Sequence, residues 1–125
     1  MSDIAAGTIG LLARVREKAP LIHNITNFVV MNSSANILLA MGASPVMAHC
    51  QAEVEEMTSM AGALVLNIGT LQEDWVESMV LAARTANTAG IPVILDPVGA
   101  GATRLRTDSS KKIMDNALIP CLRGI

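Results

Sequence analysis

The 125-residue chain sets nine Lys and Arg against eleven Asp and Glu, a formal net charge of −2, and holds one Trp, one Phe and no Tyr. That balance excludes the basic face and the stacking aromatics that hold nucleic acid, and the length allows at most one domain of ordinary size, 1–125. With 51% hydrophobic residues, the core is expected to be aliphatic, with the eight Met filling gaps.

Apolar runs are broken by Asn, Ser, Gly or charge well short of a membrane span, and the N-terminus shows no basic start followed by an apolar block, so a cytoplasmic protein is expected. Cys50 and Cys121 lie far apart and read as reduced, buried thiols. His23 and His49 have no partner at metal-ligand spacing, which argues against a structural zinc site.

In chain order, Ile4, Leu11, Leu12 and Val15 space an amphipathic helix over Asp3–Lys18, stopped by Pro20. Leu21–Asn27 reads as a short strand running into a polar turn, and Phe28–Met41 as a helix with Gly42 beyond its end. A strand over Ala43–Met47 follows, then a short helix marked by Glu53, Val54, Met57, Met60 and Ala61 and closed by Gly62. Ala63–Asn67 is a buried strand. Gly69 breaks it, and Thr70 is expected to cap a helix over about Gln72–Ala89, with Gly90 at its end.

Ile91–Thr107 is the stretch with the most chemistry in it. Val93, Ile94 and Leu95 form a short buried strand; Asp96 ends it, Pro97 prevents its regular continuation, and Gly99 and Gly101 open a loop of small residues. Thr107-Asp108-Ser109-Ser110 offers N-caps for a helix to Asn116, and Ala117–Leu122 is expected to be a last strand. A carboxylate at a strand's carboxyl end, next to small residues, suits a phosphate and its hydrated Mg²⁺. The same loop completes neither a P-loop nor a dinucleotide fingerprint, and an ordinary Gly-rich turn fits it equally well.

Strands alternating with helices predict an α/β fold with a parallel sheet in a three-layer α/β/α arrangement. Right-handed crossovers then bring Asn24, Met47, Asn67 and Asp96 to one edge, the ligand-binding edge of such sheets. Taken singly, Met47 reads more readily as core than as a ligand contact, Asn24 and Asn67 as ordinary turn formers, Asp96 as a turn cap and Arg123 as a solvated charge.

Four motifs stand in order: Pro20-Leu-Ile-His-Asn-Ile-Thr-Asn-Phe-Val-Val30, Ala40-Met-Gly-Ala-Ser-Pro-Val-Met-Ala48, Ala61-Gly-Ala-Leu-Val-Leu-Asn-Ile-Gly-Thr70 and Leu95-Asp-Pro-Val-Gly-Ala-Gly-Ala-Thr103. From Pro20 onward the chain resembles hydroxyethylthiazole kinase of thiamine salvage, in the ribokinase-like superfamily. The resemblance implies transfer of the ATP γ-phosphoryl group to the primary hydroxyl of hydroxyethylthiazole, with Mg²⁺. It implies that Met47 and Asn24 contact the thiazole, Arg123 contacts ATP and Asp96 lies near the metal and phosphates. Asn67, Gly69, Thr70, Gly99 and Gly101 belong to the same implied site, and the implied assembly is a homotrimer with thiazole sites between subunits.

The family pattern continues past Arg123-Gly124 with Asn, where this chain has Ile125, and then with a Glu that helps hold Mg²⁺ and a later segment carrying the catalytic groups. The chain is therefore expected to be the N-terminal half of the kinase, truncated, with no catalytic residue of its own and little or no isolated activity. Alternative readings are a fragment retaining thiazole binding, a self-associating structural piece and, more weakly, a dinucleotide-binding oxidoreductase.

Overall fold

The computed structural model describes residues 2–124 and shows five helices and five strands among them. In order they are α1 (Asp3–Lys18), β1 (Leu21–Ile25), α2 (Met31–Met41), β2 (Ser44–Met47), α3 (Val54–Ser59), β3 (Ala63–Asn67), α4 (Glu73–Ala89), β4 (Val93–Asp96), α5 (Arg104–Asn116) and β5 (Cys121–Leu122). The strands form one sheet in the order β2-β1-β3-β4-β5, every pair parallel. Position 125, where the family pattern expects Asn, lies outside the described residues.

Alternation along the strands decides what covers each face. Leu64, Leu66, Val93 and Leu95 are fully buried and pack with Val54, Met79, Ala82, Ala83, Ala86 and Ile113 in one core, so α3, α4 and α5 cover that face. Val65 and Ile94, one residue out of phase, are half-buried on the opposite face, which α2 covers chiefly over β2. Right-handed crossovers require this split, because β1 to β2 runs one way along the sheet while β3 to β4 and β4 to β5 run the other. α1 leans on α2 and buries none of its side chains; Ile4 stays 82% exposed, so its apolar stripe is not a core face.

The α/β class and strand order of elements follow the sequence pattern, while several details do not. The Phe28–Met41 helix begins only at Met31, because the Asn27 side chain accepts hydrogen bonds from the amides of Val29 (2.9 Å) and Val30 (3.1 Å) and holds Phe28–Val30 as a turn. Thr70 does not cap α4; its hydroxyl instead accepts from the Phe28 amide, and Gln72 takes the N-cap position without a side-chain bond. α5 starts at Arg104, not near Asp108, because Thr103 Oγ1 caps the Arg106 amide at 3.2 Å.

The last strand is reduced to Cys121–Leu122. The Asn87 side chain both donates to and accepts from the Leu118 backbone, and Pro120 has no amide to pair. Both cysteines are exposed, not buried. Met79 alone among the described methionines is fully buried, and Met41, Met60 and Met114 lie at the surface, so β-branched and Leu side chains, with Ala, make the core.

His23 is a core histidine. Its Nε2 lies 2.7 Å from the Ala48 carbonyl, which can only accept, so Nε2 carries the proton and Nδ1 accepts from the Thr58 hydroxyl at 2.9 Å. Burial pushes the imidazole below its ordinary value, partly opposed by the Ala48 carbonyl and the Glu53 carboxylate. The unfolded chain therefore protonates first on acidification. Stability from this site is complete above about pH 6.5 and is lost as pH falls toward the lowered folded-state value. Thermal melts followed by circular dichroism should show the midpoint falling between about pH 7 and pH 5, with a shallower fall in His23→Gln. An unchanged slope in that variant would place the acid sensitivity elsewhere.

Candidate active site

In this strand order the loops after β1 and β3 part toward opposite faces, since α2 and α4 lie on opposite sides of the sheet. That divergence is the switch point of an open parallel sheet, and it opens a crevice beyond the strands' carboxyl ends. A cleft of about 620 Å³ lies there. Val65 and Ile94 floor it, Val29, Ser33 and Ile37 wall it from the α2 side, and Asp96 and Arg123 bound it on the other.

Polar side chains at four strand ends are linked in one chain. Asn27 Nδ2 donates to Asn67 Oδ1 at 2.7 Å, Asn67 Nδ2 donates to Asp96 Oδ2 at 3.2 Å, and Arg123 Nη1 donates to the same Oδ2 at 2.6 Å. The Gly69 amide adds a second bond to Asn67 Oδ1 at 2.9 Å. Register explains the meeting: Asn67 pairs directly with Asp96, and the Arg123 amide continues the β4–β5 ladder onto the Leu95 carbonyl. The Asp96 side chain is only 10% exposed, against 63% for Arg123. Among the described residues Oδ2 takes both bonds and Oδ1 takes none, while no fully buried polar side-chain atom lacks a partner. Oδ1 is thus the free, solvent-reachable corner of a fixed carboxylate.

Gly69 is required by close approach. A Cβ there would stand 2.4 Å from Asn27 Nδ2, so any larger residue would push Asn27 off Asn67. Asn24 lines the cleft at the level of Met47 and gives its amide to the Ile22 carbonyl at 2.9 Å. Met47 ends the edge strand and is not among the cleft's lining residues; Thr70 is likewise outside the lining, held against Phe28. Gly99 and Gly101 sit in the exposed β4–α5 loop with φ of +74° and +92°, beyond the cleft, and the Gly101 amide is already bonded to Thr107 Oγ1. The structure therefore brings Asn24, Asn67, Gly69, Asp96 and Arg123 together and leaves Met47, Thr70, Gly99 and Gly101 around them.

Asn27 and Arg106 were not singled out from sequence. Asn27 carried a usable signal, an Asn at a strand-to-helix turn where its side chain can bind following amides. Arg106 carried none, because its partners are carbonyls distant in sequence. Among the described residues no group of three or more His, Cys, Asp or Glu could form a metal cage. Asn67→Ala removes the acceptor of one buried and one part-buried donor and the donor to Asp96, so it should destabilise by about 1–3 kcal/mol in chemical denaturation. Asn67→Asp should also destabilise, by setting a second carboxylate against Asp96. Wild-type stability in both would mean that the linked side chains contribute nothing to the fold.

The description "Hydroxyethylthiazole kinase family" belongs to the family model that matches residues 12–125. A hydroxyethylthiazole kinase of Desulfotalea psychrophila is 60% identical over 124 residues, covering 99% of this chain and 45% of the relative. One from Chloroflexus aurantiacus is 59% identical over 114 residues, covering 91% of this chain and 42% of that protein. A solved hydroxyethylthiazole kinase structure from Pyrococcus horikoshii superposes with a TM-score of 0.88 at 58% identity, over 93% of this chain and 45% of that one. The chain spans less than half the length of these relatives, yet almost all of it aligns with them. It belongs to the hydroxyethylthiazole kinase family.

Proposed function

We propose that this chain supplies the Asn–Asp–Arg side of a site that transfers the γ-phosphoryl group of ATP to the primary hydroxyl of hydroxyethylthiazole, in thiamine biosynthesis and salvage. The observation that carries the reading is Asp96. It is a nearly buried carboxylate that lines the cleft at the switch point, with one oxygen pinned by Asn67 and Arg123 and the other without a partner among the described residues. Phosphoryl transfer asks mainly for positioning and for charge placed against the phosphates, which such a fixed group provides.

In the proposed reaction the alcohol oxygen forms a bond to the γ-phosphorus, the bond from that phosphorus to the ADP oxygen breaks, and the alcohol proton leaves to solvent or to a base outside the described residues. Mg²⁺ suits the donor set. It is commonly held by one or two carboxylates with phosphate oxygens and water, and a single open carboxylate oxygen next to an anion site meets that need. When bound, the ion would draw charge off the phosphates; Asp96 would be its protein ligand. Arg123 would then exchange part of its contact with Asp96 for a phosphate oxygen. Asn67, Gly69 and Thr70 would shape the nucleotide side, and Gly99 and Gly101 would contribute through the form of their loop.

Asn24 and the apolar floor are the proposed thiazole side of the cleft. Met47, on the edge strand outside the cleft, fits a substrate pocket completed by another copy in a homo-oligomer, a trimer as the resemblance implies. A narrower reading, a self-associating piece that retains only thiazole binding, is favoured by one observation. Phe28, Val29, Ile37 and Leu39 are all more than half exposed along α2 and the turn before it.

Calorimetric titration tests the main reading. MgATP should bind the wild-type chain, and Asp96→Ala should lose at least about tenfold in affinity together with the Mg²⁺ dependence. Equal, Mg²⁺-dependent binding by both would remove Asp96 from the metal site. Sedimentation tests the narrower reading: association that rises with concentration and responds to hydroxyethylthiazole but not to MgATP would support it over the kinase reading.

A further inference from the structure

Arg106 stands in the first turn of α5, its amide capped by Thr103, and its side chain turns back to the strand ends. Nη1 donates to the Val98 carbonyl at 2.8 Å and the Ile68 carbonyl at 3.1 Å, and Nη2 donates to the Gly69 carbonyl at 2.9 Å. One planar guanidinium therefore bridges the loop after β3 and the loop after β4. Ile68 and Gly69 directly follow Asn67, and Val98 follows Asp96 by two residues. Among the described residues Arg106 has no carboxylate partner; the ion pairs present are Arg104–Asp108, Lys112–Glu77 and Arg123–Asp96.

The glycine at position 99 is explained by the same side chain. With φ at +74°, a Cβ on Gly99 would lie 2.8 Å from Arg106 Cδ and 3.3 Å from its Nε. The small-residue loop that reads in sequence as a cradle for phosphate is built around an arginine of the chain itself. The fork shape matters: five donors in a rigid plane can span two loops, while a lysine ammonium is a point charge that cannot.

We propose that Arg106 is a positioning residue of the phosphoryl-transfer site. By tying the loops after β3 and β4 through their carbonyls, it keeps Asn67 and Asp96 within hydrogen-bonding distance and so fixes the carboxylate presented to MgATP. The inference rests on the kinase reading of the site for its consequence, though its geometry stands without it. A guanidinium acting only as bulk or charge would not need both loops at once. A guanidinium acting as a bridge transmits any loss to Asn67 and Asp96.

The test uses the full 125-residue chain with Arg106→Gln, Arg106→Lys and Gly99→Ala, the last crowding Arg106 while leaving its charge. Without ligand, the ¹⁵N NMR signals of the Asn67 side-chain amide and the Gly69 backbone amide should shift in all three, well below the melting temperature. MgATP affinity should fall about 10- to 100-fold in all three, while hydroxyethylthiazole affinity is unchanged. Lysine should not rescue. Unmoved Asn67 and Gly69 signals in Arg106→Gln would overturn the proposal, as would wild-type MgATP affinity in Arg106→Lys, which would make charge alone the agent. Should Arg106→Gln fail to fold, the lysine and Gly99→Ala chains decide it by the same two readouts. If the wild-type chain binds no MgATP, the kinase reading fails by itself. The Asn67 and Gly69 signals then still decide whether Arg106 positions the pair.

Discussion

A buried carboxylate needs partners, and at the end of β4 they come from the ends of the two neighbouring strands, β3 and β5. Asp96 is held through Oδ2 by Asn67 and Arg123, and Asn67 is held in turn by Asn27 and the Gly69 amide. Leaving any buried polar member unmatched would cost on the order of 1–3 kcal/mol, so the four strand ends are coupled through side chains as well as through the ladder. The same bonds give the cleft its chemistry. They spend one carboxylate oxygen on structure and leave the other without a partner among the described residues.

The parallel sheet makes that arrangement possible. All strands point their carboxyl ends to one edge, and the opposed directions of the β1–β2 and β3–β4 crossovers separate the loops there. The core on the α4 side is dense and aliphatic, which holds β3 and β4 in register and places Asn67 opposite Asp96. On the other face α2 lies chiefly over β2, so Val65 and Ile94 are left as an apolar floor beside the polar chain. An apolar floor beside a few convergent polar groups is the form that small-ligand clefts commonly take.

The elements with strong periodicity were legible in sequence, because buried strands such as Ala63–Asn67 and helices such as Glu73–Ala89 carry their period in the residues themselves. The errors fall where a side chain from elsewhere takes over a local role. Asn27 displaces the start of α2, Thr103 caps α5 a turn ahead of the Ser-rich stretch, and Asn87 draws Leu118 away from strand pairing. Asn24, Asn67 and Asp96 were placed at one sheet edge by strand-end position, and Arg123 was singled out by resemblance alone. Asn27 announced its turn through the amides that follow it but not its bond to Asn67 forty residues on, and Arg106 announced nothing, since local propensity contains no trace of partners so distant.

Glycine shows how far a local reading can mislead. A run such as Gly99-Ala-Gly-Ala-Thr103 suggests exposed amides waiting for an anion. Here the Gly101 amide is bonded to Thr107, and the space above Gly99 is occupied by Arg106. Gly69 likewise makes room for Asn27. At Gly69 and Gly99 a small residue is the means by which a larger polar side chain reaches its partner. The site is therefore recognised through side chains held at fixed angles, with the glycine loops as the clearance they need. Its selectivity should follow the rigidity of the Asn27–Asn67–Asp96 chain more closely than the composition of the loop, because binding energy is gained only where donors and acceptors are already in place.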